Sequence, residues 1–237
     1  MTAKIMRRAA AAAAFAAMLF AGAEGAWAQE GRLTTAQIKQ NCKKSVEKLA
    51  NGDVVVRFGK IDKALRQKAK DVSLPLFELM AYLDPNLDYE KFNKSMVREA
   101  GEAGNSRSMA EMIEGASDFL ASSGIKLRKI KFSALALKSG INDGIPFLAT
   151  MRSSPSLDDI AARSKRRAGE SDMKAWKKHL RDNDIEKPAP GRGSFFAQIR
   201  GYNPTSGEFL IVTRSSALWM TQDEAEACLT RILEVRL

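Results

Sequence analysis

The sequence has little of the two residue types on which most metal sites and many catalytic sites depend. Its 237 residues include one histidine, His179, and two cysteines, Cys42 and Cys228. The cysteines lie far apart, so they form none of the close pairs that metal and redox motifs require. The histidine lies among basic residues on a predicted helix, with no neighbour placed to orient it as a general base. We therefore expect no metal site, and we interpret His179 as a surface residue.

Other common signatures are also missing. The chain contains no phosphate-binding loop, no dinucleotide-binding fingerprint and no internal repeat, so no cofactor is predicted. Hydrophobic residues make up 45% of the sequence and charged residues 28%, as is ordinary for a globular protein. This composition excludes a collagen, a coiled coil and a chain that stays disordered throughout.

Long hydrophobic runs are absent after the first 28 residues. An apolar run from Ala9 to Ala21 follows three basic residues and precedes the small-residue pattern Ala26-Trp27-Ala28. This arrangement is typical of a signal peptide, whereas a membrane-spanning helix needs roughly 20 apolar residues. We predict a signal peptide over residues 1–28 and a secreted or periplasmic protein that is not transmembrane after signal removal. Removal takes away three basic residues and one acidic residue, which lowers the net charge from +10 to +8.

The two cysteines lie near opposite ends of the predicted mature chain. In an oxidising compartment, a disulfide between Cys42 and Cys228 would join those ends. The alternative is a pair of small buried residues that never meet. The sequence leaves both interpretations open.

Helical patterns come first in the mature chain, and strand patterns dominate later. Apolar residues at helical spacing begin at Thr34 and continue to Asn51-Gly52, and a strongly apolar helix begins at Ser73-Leu74-Pro75. Further helices are predicted near residues 89–103 and 108–122 and from Ser156, Ser171 and Thr221. Strands are predicted at residues 54–56, 125–130, 147–151 and 231–235, with a hairpin over 195–213. This order indicates an α+β fold with a mostly antiparallel sheet.

Several segments of the chain, taken in order, resemble one branch of the papain-like cysteine peptidases. Residues 67–76 (QKAKDVSLPL) resemble its Gln-x5-Cys-x-Pro-Ala motif, and residues 140–146 (GINDGIP) resemble the element before an apolar strand. Residues 199–211 (IRGYNPTSGEFLI) resemble its hairpin, and residues 219–225 (WMTQDEA) resemble the helix that follows. The sequence is thus similar to the bacteriocin-processing-peptidase-like branch over about residues 55–235.

This resemblance implies a domain organisation. Residues 55–237 would form a papain-like domain, in which a helical half packs on the mostly antiparallel sheet. Residues 29–54 would form an N-terminal helix and lead-in, and residues 153–193 would form a basic helical insertion.

The resemblance also indicates where the catalytic residues of that family would fall. The chemistry uses a cysteine thiolate at the start of the central helix and a histidine base that an Asn or Asp orients. A glutamine donates to the oxyanion. Gln67 matches this glutamine. The nucleophile position holds Ser73, the histidine position holds Phe195, and the orienting position falls on Thr213 or Arg214.

These replacements predict that cysteine-peptidase chemistry is lost. A serine hydroxyl is a poor nucleophile without an adjacent base, and loss of the nucleophile or the base costs about a millionfold in rate. Ser73 has a simpler use as the N-cap of its helix. We predict a pseudopeptidase that binds a peptide or protein partner. The alternative is a divergent hydrolase that uses Ser73 and Gln67.

A basic segment from Arg163 to Arg181 carries eight Lys or Arg residues and two acidic residues. Clustered positive charge attracts polyanions, so a third interpretation is an exported module that binds an anionic envelope or host polymer. The candidate binding residues are Arg163, Lys165, Arg166, Arg167, Lys177 and Lys178. Nucleic acid is not expected, because only Trp176 is available there for base stacking. The alternative is a solvated helix face.

Overall fold

An eight-stranded sheet forms the framework of the protein in the computed structural model, and its strand pairs are antiparallel. The structure describes residues 33–59, 74–84, 108–121, 124–154, 156–167, 194–214 and 216–237, together with Asn86, Asp88 and Phe92. The predicted signal peptide and the predicted helices near residues 89–103 and from Ser171 lie outside the described residues. Thr34–Leu237 belong to one unit.

Helices and strands alternate irregularly along the described chain. The strands are β1 (Val46–Lys48), β2 (Val54–Val56), β3 (Lys126–Ile130), β4 (Phe147–Arg152), β5 (Ser194–Tyr202), β6 (Phe209–Thr213), β7 (Ala217–Met220) and β8 (Leu229–Arg236). The helices are α1 (Thr35–Lys44), α2 (Leu74–Leu83), α3 (Met109–Ala121), α4 (Ala134–Asn142), α5 (Ser156–Arg167) and α6 (Gln222–Cys228). The predicted α+β class with a mostly antiparallel sheet is confirmed.

Strand β5 is central to the sheet, because it pairs with β2, β4 and β6. The strand order is β1-β2-β5-β4-β8-β3, and β6 and β7 continue from β5. β5 and β6 form the predicted hairpin. Its turn is held by Asn203, whose backbone N–H donates to the Glu208 carbonyl over 2.8 Å. The Asn203 side-chain oxygen accepts the backbone N–H groups of Thr205 and Ser206, which closes the turn.

One face of the sheet is covered by a large apolar cluster, and we call it the apolar face. On β5 the side chains of Ala197 and Ile199 belong to this cluster, and on β4 those of Phe147, Ala149 and Met151 do. The cluster residues from the helices are Leu137, Ile141, Ile160, Ala225 and Cys228. Helices α4, α5 and α6 therefore pack on this face. Since successive strand side chains point to opposite faces, Gln198, between Ala197 and Ile199, points away from the cluster. A register shift between Ile199 and Gly201 then interrupts the alternation, and Tyr202 belongs to the cluster again.

Helix α2 packs against β5 and β4 on the opposite face, which we call the helix face. Its buried apolar residues are Leu74, Pro75, Leu76, Phe77, Leu79, Met80 and Leu83. The prediction of a buried helix that opens with Leu74-Pro75 is confirmed. In the part of the chain that the structure describes, no helix has the length and apolar character needed to cross a membrane.

The prediction of one helix from Thr34 to Asn51 is wrong in its second half. Thr34 caps α1 in a capping box with Gln37, but the helix ends at Lys44. Val46 to Lys48 then form β1, which pairs with β2 through a turn at Gly52 with φ +85°. The cross-strand pairing of two valine-containing strands overrides the helical spacing here, and the Asn-Gly pair serves as a hairpin turn.

A strand was also missed near the C-terminus. The resemblance groups Trp219 and Met220 with the following helix, whereas in the structure they belong to β7, which pairs with β6. The helix predicted from Thr221 to Cys228 is confirmed as α6. Helix α6 begins only at Gln222, because Thr221 is its N-cap and forms a capping box with Glu224. Trp219 is an aromatic residue, a type that is common in strands, and Thr221 is of the type that caps the start of a helix.

Candidate functional site

The start of α2 meets the middle of β5 on the helix face. α2 begins at Leu74, one residue after Ser73 in the sequence. The Gln198 side-chain Nε2 donates a hydrogen bond to the Pro75 carbonyl in the first turn of the helix. The Gln198 side chain is 0% exposed, and within the part of the chain that the structure describes its Oε1 has no hydrogen-bond partner. Gln198 is thus the polar side chain of β5 that lies closest to the helix start among the described residues.

Phe195 does not lie beside the start of α2, contrary to the expectation for a residue in the histidine position. It is half-buried and packs against the apolar cluster, on the same face as Ala197 and Ile199. Gln198 lies three residues further along β5 and points to the helix face. Phe195 and Gln198 therefore lie on opposite faces of the strand, because an odd step along a strand changes the face.

Thr213 is also placed away from the helix start. Its Cα is the register partner of Ala197, which belongs to the apolar face. The Thr213 hydroxyl donates to the Ser216 carbonyl over 3.2 Å and accepts the Ser216 backbone N–H over 3.0 Å. Thr213 therefore closes the turn between β6 and β7. Gln67 and Ser73, the two other predicted site residues, lie outside the described residues.

Further along α2, a half-buried arginine of β5 rests on stacked aromatic rings. The Arg200 guanidinium lies 3.8 Å from the Phe58 ring centroid and donates to the Val56 carbonyl through Nε and Nη2. The Phe58 ring in turn stacks on the Tyr82 ring at 4.3 Å. Burial lowers the pKa of Arg200 to about 10, and the nearby Glu78 carboxylate opposes this change. Arg200 therefore remains a cation at neutral pH.

Tyr82 ties α2 to the turn before β4. Its hydroxyl donates to the Gly144 carbonyl over 2.6 Å and lies 3.3 Å from the Cys42 carbonyl. Burial raises the pKa of Tyr82, and Cys42 raises it further. Gly144 has φ +75°, and a Cβ there would overlap the Cys42 carbonyl, so only glycine fits. The hydroxyl therefore stays protonated and acts as a structural hydrogen-bond donor.

Arg163, a predicted polymer-binding residue, forms an ion pair within the fold. Its Nη1 and Nη2 donate to both carboxylate oxygens of Glu224 over 2.9 and 2.6 Å, and Nη2 also donates to the Trp219 carbonyl over 3.2 Å. The guanidinium lowers the pKa of Glu224 to about 2, and the pKa of Arg163 is raised in return. Arg163 thus joins α5 to β7 and α6, and its part in polymer binding stays a prediction.

The other five basic candidates follow Arg163 in the sequence. Lys165, Arg166 and Arg167 are in the last turn of α5, and their side chains lie outside the described part of the structure. Lys177 and Lys178 lie outside it altogether. A role for these residues in polymer binding stays a prediction.

The predicted disulfide is not formed in the structure. Cys42 and Cys228 are free and buried. Cys228 belongs to the apolar cluster, whereas the backbone of Cys42 contacts Tyr82 and lies close to Gly144. The two thiols thus occupy different neighbourhoods, and burial raises the pKa of each. The structure thus agrees with the interpretation as two small buried residues that never meet.

Sequence reasoning missed Gln198, Arg200 and Tyr82. The available signal was the polar pair Gln198 and Arg200 in an otherwise apolar strand, because buried polar groups in a strand need partners.

Among the described residues, no group of three or more His, Cys, Asp or Glu side chains is placed to hold a metal ion. Neither the comparison with protein-family models nor the comparison with curated proteins finds a match for this chain.

Proposed function

We propose that this chain is an exported, papain-like domain of the bacteriocin-processing-peptidase-like kind that binds a peptide or protein partner without cleaving it. The proposal rests on Gln198, the side chain of β5 that contacts the first turn of α2. A papain-like peptidase needs a base at such a place, and an amide side chain takes up no proton at neutral pH. A site arranged in this way supports recognition rather than proton transfer.

The remaining candidates for a base support the same conclusion. The chain has a single histidine, His179, which lies outside the described residues and within the predicted basic insertion. Phe195 is apolar and lies on the other face of β5. Ser73 would therefore depend on a base that the sequence does not supply beside it. The divergent hydrolase that uses Ser73 and Gln67 is the competing function.

The unpaired oxygen of Gln198 supports a binding role. A buried amide oxygen without a partner costs about 1–3 kcal/mol, and leucine at this position would avoid that cost. If stability alone decided the residue at this position, an apolar side chain would be expected there. The backbone N–H of a bound peptide is a donor of matching chemistry, and peptide backbones are recognised in this way in many grooves. Because Gln198 is fully buried, a partner would have to displace the groups that cover it, and Gln198 would then contribute one hydrogen bond near the helix start.

A displayed peptide library tests this proposal. Peptides are enriched on the purified wild-type protein and then measured against Gln198→Leu and Gln40→Leu by fluorescence anisotropy. Gln40 is exposed on α1, so its substitution makes the same chemical change away from the site. The expected result is an enriched set that binds Gln198→Leu about tenfold more weakly than wild type and binds Gln40→Leu equally well, as one lost buried hydrogen bond requires. Enriched peptides that bind all three proteins alike would contradict the proposed site.

A further inference from the structure

A second surface, distant in sequence from the proposed site, carries clustered positive charge. Strand β3 is the last strand of the sheet order, and within the described part of the chain it pairs only with β8. Four basic side chains are exposed along β3 and directly after it: Lys126, Arg128, Lys129 and Lys131. We call this strand with its basic side chains the basic edge. Its outer backbone groups have no strand partner among the described residues.

The charges of the basic edge are only partly neutralised by β8. Glu234 lies opposite Arg128, and its carboxylate is 3.2 Å from Arg128 Nε and 2.9 Å from Arg236 Nε. Lys126 lies directly opposite Arg236. A single carboxylate is thus shared by two guanidinium groups, while a lysine faces an arginine across the strand pair. Like charges opposite each other destabilise a sheet, so this arrangement favours an external anion.

We propose that the basic edge binds an extended acidic segment of a partner protein, which adds to β3 as a further strand. A free sheet edge supplies N–H and C=O groups for the backbone of such a segment. The basic side chains exclude a second copy of β3, because two basic edges repel each other. They attract a strand with acidic residues at alternate positions, which meets Lys126 and Arg128 on one face of the sheet. A segment of about five residues matches the length of β3.

This inference is independent of the pseudopeptidase proposal, since the two surfaces use different residues. The probe is a fluorescein-labelled peptide of alternating Glu and Val residues, and binding is measured by anisotropy. The control peptide has the same sequence with N-methyl groups on alternate amides, which keeps the charge and removes backbone donors. A Gln198→Leu variant separates the proposals, because it should bind the acidic probe as wild type does.

Two double variants match the charge change on different surfaces. Lys126→Ala with Lys129→Ala alters the basic edge, and Lys43→Ala with Lys44→Ala removes two exposed lysines from the end of α1. We expect the probe to bind wild type and the α1 variant equally, and to bind the basic-edge variant about three- to tenfold more weakly. The N-methylated peptide should bind at least about tenfold more weakly than the probe, because it loses several backbone hydrogen bonds.

Three results would overturn the inference. The first is equal binding of the N-methylated peptide or of an anionic polysaccharide, which would show charge attraction without an added strand. The second is an equal loss in both double variants, which would show that any lysine pair contributes. The third is no binding of the acidic probe at millimolar protein in low salt. Unfolding curves of the variants establish that each one folds, as is expected for exposed side chains.

Discussion

The two faces of the central sheet differ in chemistry although the same strands build both. On the apolar face, Ala197 and Ile199 of β5 join a cluster of hydrophobic side chains from three helices. On the helix face, the same strand presents Gln198 to α2. A buried amide whose oxygen has no hydrogen-bond partner among the described residues thus lies on the face that carries α2.

The two faces therefore have different roles. The apolar face stabilises the fold, and the helix face carries the residue that we propose contacts a partner. Apolar burial is the main stabilising contribution in proteins, and the cluster on the apolar face supplies it. Buried polar groups add little net stability and tend to be retained for specificity or function. The helix face is therefore where we place the partner-binding site, and substitutions on neighbouring β5 residues should separate the two roles.

The largest expected effect comes from truncating a residue of the apolar face. Ile199→Ala should lower the free energy of unfolding by about 2–5 kcal/mol, because it leaves a cavity in a fully buried cluster. Gln198→Leu, one residue away, should change it by less than about 1 kcal/mol, because removal of the unpaired buried oxygen offsets the loss of the hydrogen bond to the Pro75 carbonyl. Urea unfolding of both variants measures the difference. A loss of similar size in both would remove the distinction between the faces.

A smaller effect is expected where α2 is tied to the turn before β4. Tyr82→Phe should cost about 1–3 kcal/mol, because the Gly144 carbonyl loses its hydroxyl donor. Tyr202→Phe is the matched control, since the Tyr202 hydroxyl donates over 2.9 Å to the side chain of Asn142, an exposed residue that water can satisfy. Thermal unfolding compares the two variants. A larger loss in the control would indicate that the Tyr82 contacts do not hold α2 in place.

The Arg163–Glu224 ion pair, which anchors α5, should make the free energy of unfolding depend on pH in the acid range. The pKa of Glu224 is depressed to about 2 in the folded protein, so the unfolded chain binds its proton first as the pH falls. Its contribution is complete above about pH 4.5 and is lost between that value and about pH 2. At neutral pH, Glu224→Gln should be less stable than wild type by about 1 kcal/mol, since both side chains are partly exposed. Urea unfolding at several pH values measures this gap, and a gap that persists unchanged at pH 2 would contradict the assignment.

Thiol titration should show that both cysteines are free and that both are buried in the folded protein. Unreduced protein unfolded in denaturant should show two free thiols on titration, because Cys42 and Cys228 are unpaired in the structure. The folded protein should react much more slowly, since burial raises both thiol pKa values and blocks access. No free thiol in the unreduced, unfolded protein would restore the predicted disulfide.

The sequence predicted most elements whose signals are local. Helix α2 followed from its apolar run after a Ser-x-Pro start, and the β5–β6 hairpin followed from its turn residues. β1 was missed because three residues carry too little pattern to outweigh a helical spacing that precedes them. β7 was missed for the same reason, since its four residues adjoin a helix start.

The candidate site was less predictable, because it depends on which face of a strand meets a helix. A family match by spacing assigned Phe195, yet a shift of one residue along β5 changes the face, and Gln198 is the residue that contacts α2. The role of Arg163 was hidden for a similar reason. Glu224 lies 61 positions further along the chain, so no local pattern shows that the charge is already paired.

Incubation of a broad peptide library with the purified protein, read by mass spectrometry beside Ser73→Ala, tests the central claim most directly. A domain that binds its partner without a base should produce no cleavage above the background of the Ser73→Ala variant. Cuts made by wild type that vanish in Ser73→Ala would contradict the account. They would establish a hydrolase that uses Ser73 with a base beyond the helix face described above.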